Sequence, residues 1–179
     1  TAGKTAAAGL LAAILKAAHF TTGFYRGGCE PLAARIFVDG TPVDPVLLTQ
    51  AADALAAAKP LPKAAAELAA AACCFGAAGC KLAVAELPDA GLAAALPKMP
   101  VCAVTAIGSD GVSRSVERSA ALAAGVMREG AVCVTAPEQP KLALSELIVA
   151  AGKANCELVV PDPEDITFLD AEKLNSKVD

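Results

Sequence analysis

The chain has 179 residues and a mass of 17.8 kDa, with 15 Lys and Arg against 19 Asp and Glu. That length suits one substantial core rather than two full domains, and a formal charge of −4 with a pI near 5.0 excludes a general nucleic-acid-binding surface. Hydrophobic residues reach 55% but aromatics only 3%, the excess being Ala, and no window offers the roughly twenty strongly apolar residues of a bilayer span.

The first element opens on Thr1-Ala2-Gly3-Lys4-Thr5, the last half of a phosphate-binding loop GxxxxGK[ST] running into a helix. In that motif glycine lets backbone N–H groups curl around phosphate oxygens, the Lys reaches the outer phosphates, and the hydroxyl residue holds magnesium. Thr1, Gly3, Lys4 and Thr5 are therefore the candidate nucleotide-binding residues. The leading glycine and the strand that feeds such a loop are not in the sequence, so an additional segment or another chain is expected to supply them. Leu10, Leu11, Ile14, Leu15 and Ala18 are spaced to line one face of the helix. His19, the only histidine, falls near its end and reads as a helix-terminal residue; one His builds no His-dependent triad or multi-His metal site.

A β-rich segment from Thr21 to Tyr25 follows, broken by Gly27-Gly28. Residues 35–41 read as a short strand entering a turn at Asp39-Gly40. Asp44 caps the next helix, with Pro45 in its first turn and Val46, Leu47, Ala51, Ala54 and Leu55 facing inward. Pro60 and Pro62 separate it from an Ala-rich helix ending around Gly76 to Gly79. Then come four short apolar runs, residues 81–86, 101–107, 131–135 and 157–160, with the composition of strands buried on both faces. Helical stretches lie between the later ones, Val116 to Arg128 closed by Gly130 and Leu142 to Ala151 closed by Gly152. The alternation predicts right-handed βαβ crossovers: an α/β fold with a mainly parallel sheet and helices on both faces. One domain is expected over residues 1–170, with a polar tail from Ala171 to Asp179.

Seven cysteines, Cys29, Cys73, Cys74, Cys80, Cys102, Cys133 and Cys156, are scattered and without a CxxC pair. They read as reduced residues, and with no secretion signal visible a cytoplasmic location is expected. In a parallel sheet ligands collect at the carboxyl ends of the strands. There Glu86 ends one strand and Ser109-Asp110 follows another. Glu86 beside a phosphate loop is placed to hold magnesium with Thr5, whereas Asp110 in a Gly-Ser-Asp-Gly turn needs no role beyond the turn.

The order of these segments resembles the central ATPase domain of the Mur ligase superfamily, above all folylpolyglutamate synthase and dihydrofolate synthase. The family's GTNGKTS is answered by Thr1 to Ala6, its "GLYTSPHL" by Gly23-Phe24-Tyr25-Arg26-Gly27-Gly28-Cys29, and its "ERIRING" by residues 34–40. Its "VLEVGLGG" resembles Val84-Ala85-Glu86-Leu87, its "ITSIGLDH" residues 104–110, and its "AxEKAGIIKPGVPVV" residues 120–132. The resemblance spans nearly the whole chain and implies ATP and Mg2+ as cofactors. It also implies ligase chemistry in which ATP phosphorylates a carboxylate that an amine then attacks.

The departures bear on that chemistry. Gly111 stands where the family has a metal-binding His, Ala123 where it has a Lys often carbamylated to bridge metals, and Gly27 where it has the Ser of "TSPHL". The Gly-rich "GLGGRLDATN" loop is reduced to Pro88-Asp89-Ala90-Gly91, and the family's C-terminal domain has no counterpart in these residues. The expectation is a degenerate, non-catalytic relative, a structural or regulatory subunit retaining nucleotide binding, with a protein partner or a second copy. The alternative is an ATP-dependent amide ligase seen as a fragment or completed by a partner chain.

Overall fold

The computed structural model describes residues 3–57, 60–96, 99–108 and 115–162. The tail from Ala171 and the Ser109-Asp110-Gly111 segment lie outside the described residues. Helix α1 (Lys4–Ala17) is followed by β1 (Thr22–Tyr25), β2 (Ile36–Val38), β3 (Thr41–Pro42), α2 (Pro45–Ala56) and α3 (Lys63–Ala77). The second half runs β4 (Leu82–Ala85), a 3-10 segment Ala90–Ala95, β5 (Val101–Val104), α4 (Val116–Ala123), β6 (Val132–Thr135), α5 (Lys141–Ala154) and β7 (Glu157–Val159). The predicted α/β alternation is what the chain adopts.

Among the described residues there are two sheets instead of one. The first is mixed, in the order β3-β2-β1-β4, and the second is parallel, in the order β5-β6-β7. β1 and β4 pair in parallel with Tyr25 opposite Ala85, and β1 and β2 are antiparallel with Tyr25 opposite Ile36. The β2–β3 hairpin turns at Asp39 and Gly40, both with positive φ (49° and 77°), the two-residue turn that Asp-Gly favours. In the second sheet Cys102 lies opposite Cys133 and Cys133 opposite Leu158. Among the described residues β4 pairs only with β1 and β5 only with β6, so the expected single sheet containing β4, β5 and β6 is divided between β4 and β5.

That division corrects the expected burial. β5 alternates exposed and buried rather than being covered on both faces, with Val101 at 60% exposure, and Leu82 of β4 is 39% exposed. The Leu-rich face of α1 is likewise open: no residue of the helix is fully buried, and Leu10, Leu11 and Ile14 are all exposed. Ala8, Ala12 and Leu15, half-buried, face the sheet side instead. Helical periodicity finds the helix and its apolar stripe, but which stripe is covered depends on the neighbours present. In α2 the Asp44 cap holds, its Oδ1 accepting from the Val46 N–H at 2.8 Å. Ala51 is buried, whereas Val46 and Ala54 point outward. Gly152 lies inside α5, whose left-handed terminator is Asn155 (φ 50°).

Each sheet has its own core. Tyr25, Ile36, Leu68, Ala71, Cys74 and Phe75 pack together on the first, and Cys102, Val104, Ala120, Cys133, Ala143 and Leu147 on the second. Leu87, just past β4, touches both clusters. α3 lies so close to β1 that a Cβ on Gly23 would sit within 2.5 Å of the Phe75 ring; only glycine permits that approach. Under this layer Arg35, 3% exposed, donates to Glu67 Oε2 at 2.7 Å, to the Tyr25 hydroxyl at 3.0 Å and to the Glu30 carbonyl at 2.9 Å. Burial disfavours its charge, but the Glu67 and Tyr25 contacts outweigh that, so its pKa is raised.

The cysteines are all free. Cys73 and Cys74 face opposite ways, exposed and buried, as adjacent helical residues must. A hydrogen bond with Cys133, together with burial, pushes the Cys102 thiol well above its usual pKa.

Two predictions follow from the packing. Glu67→Ala leaves a buried guanidinium unpaired and is expected to cost about 3 kcal/mol in urea unfolding, whereas Lys63→Ala, which removes a 3.9 Å exposed contact to the same carboxylate, stays within about 0.5 kcal/mol. In native alkylation read by peptide mass spectrometry, Cys29 and Cys73 react first, and Cys74, Cys102, Cys133 and Cys156 react on the order of 100-fold more slowly.

Candidate functional site

Gly3 adopts a left-handed conformation (φ 78°) as the residue capping α1. The helix has no side-chain cap and no acidic residue in its first turn. Its first N–H groups therefore have no side-chain acceptor, and with the helix dipole they form a positive end suited to an anion. A chain turning through Gly3 into Lys4 and Thr5 places both side chains at this end.

The parallel pairing of β1 with β4 brings the partner residues. Tyr25 and Ala85 are opposite each other, and the Glu86 N–H continues the ladder by donating to the Tyr25 carbonyl at 2.8 Å. Arg26 and Glu86 thus leave the sheet together at its carboxyl end. There the Thr5 hydroxyl donates to Glu86 Oε1 at 2.8 Å, and the Lys4 ammonium donates to the Leu87 carbonyl at 3.3 Å. Residues more than eighty positions apart in sequence thus form one cluster.

Glu86 is only 9% exposed, and its second oxygen, Oε2, is buried with no hydrogen-bond partner. A half-satisfied buried carboxylate is costly. Among the described residues three buried side-chain atoms lack a partner, and two belong here: Glu86 Oε2 and Arg26 Nε. Glu86 Oε2 and the Thr5 hydroxyl are hard oxygen donors, the type that Mg2+ prefers. Among the described residues no group of three or more His, Cys, Asp and Glu is placed to hold a metal by itself, so a cation here would rely on nucleotide or water oxygens to complete its shell.

A cleft of about 500 Å³ opens beside the cluster, lined by Thr5, Arg26, Gly27, Gly28, Cys29 and Glu30. Gly27 abuts Glu86: a Cβ there would lie 3.3 Å from the Glu86 carbonyl and 3.5 Å from its carboxyl carbon. Thr5 is thus shared by the helix end and the cleft.

Of the sequence-predicted site residues, Gly3, Lys4, Thr5 and Glu86 come together, and Thr1 lies outside the described residues. Asp110 and Gly111 do as well. Ala123 ends α4, half-buried against the second core, and contributes only a methyl group. His19 is exposed just after the C-terminal end of α1. Sequence reasoning missed two features. Arg26 and Glu30 were not singled out as cleft residues, although a basic residue at a strand end followed by Gly-Gly was the available signal. Gln139 links the ends of β5 and β6 by accepting from the Ile107 N–H at 3.0 Å and donating to Thr135 Oγ1 at 2.9 Å; nothing in its sequence context marks that role.

No protein-family model and no curated protein matches the sequence. Solved structures do match. Bifunctional folylpolyglutamate synthase/dihydrofolate synthase from Yersinia pestis CO92 superposes with a TM-score of 0.77 at 21% identity, over 89% of this chain and 41% of that one. Mycobacterium tuberculosis folylpolyglutamate synthase, complexed with ADP and AMPPCP, gives 0.74 at 22% identity over 89% and 40%. The apo form of L. casei FPGS gives 0.73 at 19% identity over 89% and 42%. The Yersinia enzyme is also seen with AMPPNP and a Mn ion. The chain therefore spans about two-fifths of the length of these structures, and over that span it has the fold of folylpolyglutamate synthase.

Proposed function

We propose that this chain is a nucleotide-binding domain of the folylpolyglutamate synthase type that holds Mg-ATP weakly and does not form an amide bond by itself, acting as a structural or regulatory subunit. The observation that carries this reading is the Thr5 hydroxyl bonded at 2.8 Å to a buried Glu86 carboxylate whose other oxygen has no partner. Gly3 and the first turn of α1 offer backbone N–H groups to phosphate oxygens. Lys4, resting on the Leu87 carbonyl at 3.3 Å, exchanges that weak contact for a phosphate. Thr5 and Glu86 hold the cation, which when bound neutralises phosphate charge and supplies Lewis acidity. The solved relatives seen with ADP, AMPPCP, or AMPPNP and Mn support ATP and Mg2+ as the ligands.

The non-catalytic part rests on chemistry. Acyl phosphate formation concentrates negative charge that fixed cations must stabilise in a water-poor site. Ala123 and Gly111 offer no ligand atoms at the two positions where the resemblance implies a second metal. A second reading, an ATP-dependent amide ligase completed by further chain or by a partner, is favoured by the cleft beside Thr5, which has room for a substrate next to the phosphate site.

Calorimetry with ATP tests the nucleotide site. Mg2+ is expected to strengthen binding to the unaltered chain. Lys4→Ala is expected to weaken it about 10- to 100-fold, the loss of one charge-assisted contact of roughly 1.5 to 3 kcal/mol. Glu86→Gln removes the Mg2+ dependence, and no binding under any condition refutes the proposal. Incubation with ATP, Mg2+, glutamate and a reduced folate is expected to release no phosphate above background. Turnover that disappears in Lys4→Ala replaces the proposal with the ligase reading.

A further inference from the structure

Among the described residues the cleft has one cation in its lining, Arg26. Its Nε is buried and unpartnered. Its Nη2 makes two long contacts, to Glu30 Oε1 at 3.3 Å and to the Ala34 carbonyl at 3.4 Å. Charge-assisted bonds between guanidinium and carboxylate normally close to about 2.7–2.9 Å and pair both prongs of the fork. Nε is thus left without a partner and Nη2 has only long contacts, and Glu30, with its side chain 51% exposed, is an ill-fitting occupant.

The backbone around this fork is held firmly. The Arg26 N–H donates to the Arg35 carbonyl at 2.8 Å, and Arg35 Nε donates to the Glu30 carbonyl at 2.9 Å. Buried Arg35 thus clamps both ends of the 26–30 loop and is itself locked on Glu67 and Tyr25. Gly27 and Gly28 lie between the clamps: a Cβ on Gly27 would meet the Glu86 carbonyl at 3.3 Å, and one on Gly28 would overlap the Glu30 carboxylate. A preorganised, half-empty guanidinium facing a carboxylate of its own chain is a built-in model of its ligand.

We propose that Arg26 is the anion anchor of this cleft, taking the planar carboxylate of an acidic ligand in place of Glu30 and holding it beside Thr5. A carboxylate fits better than a phosphate. The fork matches two coplanar oxygens, a carboxylate already rests on it, and the α1 terminus with Lys4 is the site left for phosphate. The proposal deepens the nucleotide reading and rests on it for the neighbouring phosphate site. Arg26 acts here as a specificity-determining residue.

Cys29 lines the same cleft and is exposed, so its alkylation by iodoacetamide reports occupancy, with exposed Cys73 on α3 as an internal control. Glutarate is the probe, neutral glutaramide its isostere, and inorganic phosphate the competing anion. Glutarate is expected to slow labelling of Cys29 but not of Cys73, with glutaramide inert and phosphate weaker. Arg26→Met shifts the protecting glutarate concentration at least about tenfold upward. Glu30→Gln, which removes the internal occupant, shifts it several-fold downward. That gain cannot arise from misfolding. Equal protection by glutaramide, stronger protection by phosphate, full protection in Arg26→Met, or weaker protection in Glu30→Gln each overturns the proposal. Mg-ATP calorimetry separates the two readings. Arg26→Met with unchanged ATP affinity supports the anchor, and loss of ATP binding there overturns it by making Arg26 a phosphate ligand. Glutarate protection in a chain that binds no ATP leaves the anchor standing and removes the nucleotide reading.

Discussion

The parallel pairing of β1 with β4 is the constraint on which the site depends. Because Tyr25 sits opposite Ala85, the next residues of both strands emerge at the same sheet edge, Arg26 into the lining of the cleft and Glu86 beside it, bonded to Thr5. Slipping this register by one residue would turn Glu86 to the other face. α1 packs against both strands, so its N-terminal end with Lys4 and Thr5 is carried to the same place. Strand hydrogen bonding thus brings these side chains to one end of the sheet.

Two buried polar features respond to that constraint in opposite ways. Arg35 is satisfied on every side it presents: a carboxylate, a phenol and a backbone carbonyl take its donors, and it orders the loop beyond β1. Glu86 is left half-satisfied at the point where the loops meet. Buried polar groups are as a rule hydrogen-bonded, and Glu86 departs from that rule where Arg35 follows it.

The two halves of the molecule meet at the segment that follows β4. Leu87 belongs to both cores, and the 3-10 segment Ala90–Ala95 packs against α3 on one side and the α4 end on the other. β4 and β5 carry no ladder between them among the described residues, and Leu82 of β4, Val101 of β5 and Leu10, Leu11 and Ile14 of α1 are exposed. The same segments that the sequence marks as strands buried on both faces are therefore only partly covered.

Local pattern was enough to place most elements. The Asp44-Pro45 cap, the Asp39-Gly40 turn, the Ala-rich helix and the four apolar runs depend on interactions within a few residues, which a single sequence displays. The positions of Gly3, Lys4 and Thr5 at the start of a helix and of Glu86 at a strand end were also legible, since each is a residue type tied to a local position. Tertiary structure alone decided the rest. Whether the Leu face or the Ala face of α1 is covered, that the strands form two sheets, that Glu86 is half-satisfied, and that Arg26 shares a cleft with Thr5 are all set by pairings across tens of residues. Hydrophobic periodicity names the side of a helix or strand that can be buried; only the partner that arrives determines what is buried against it.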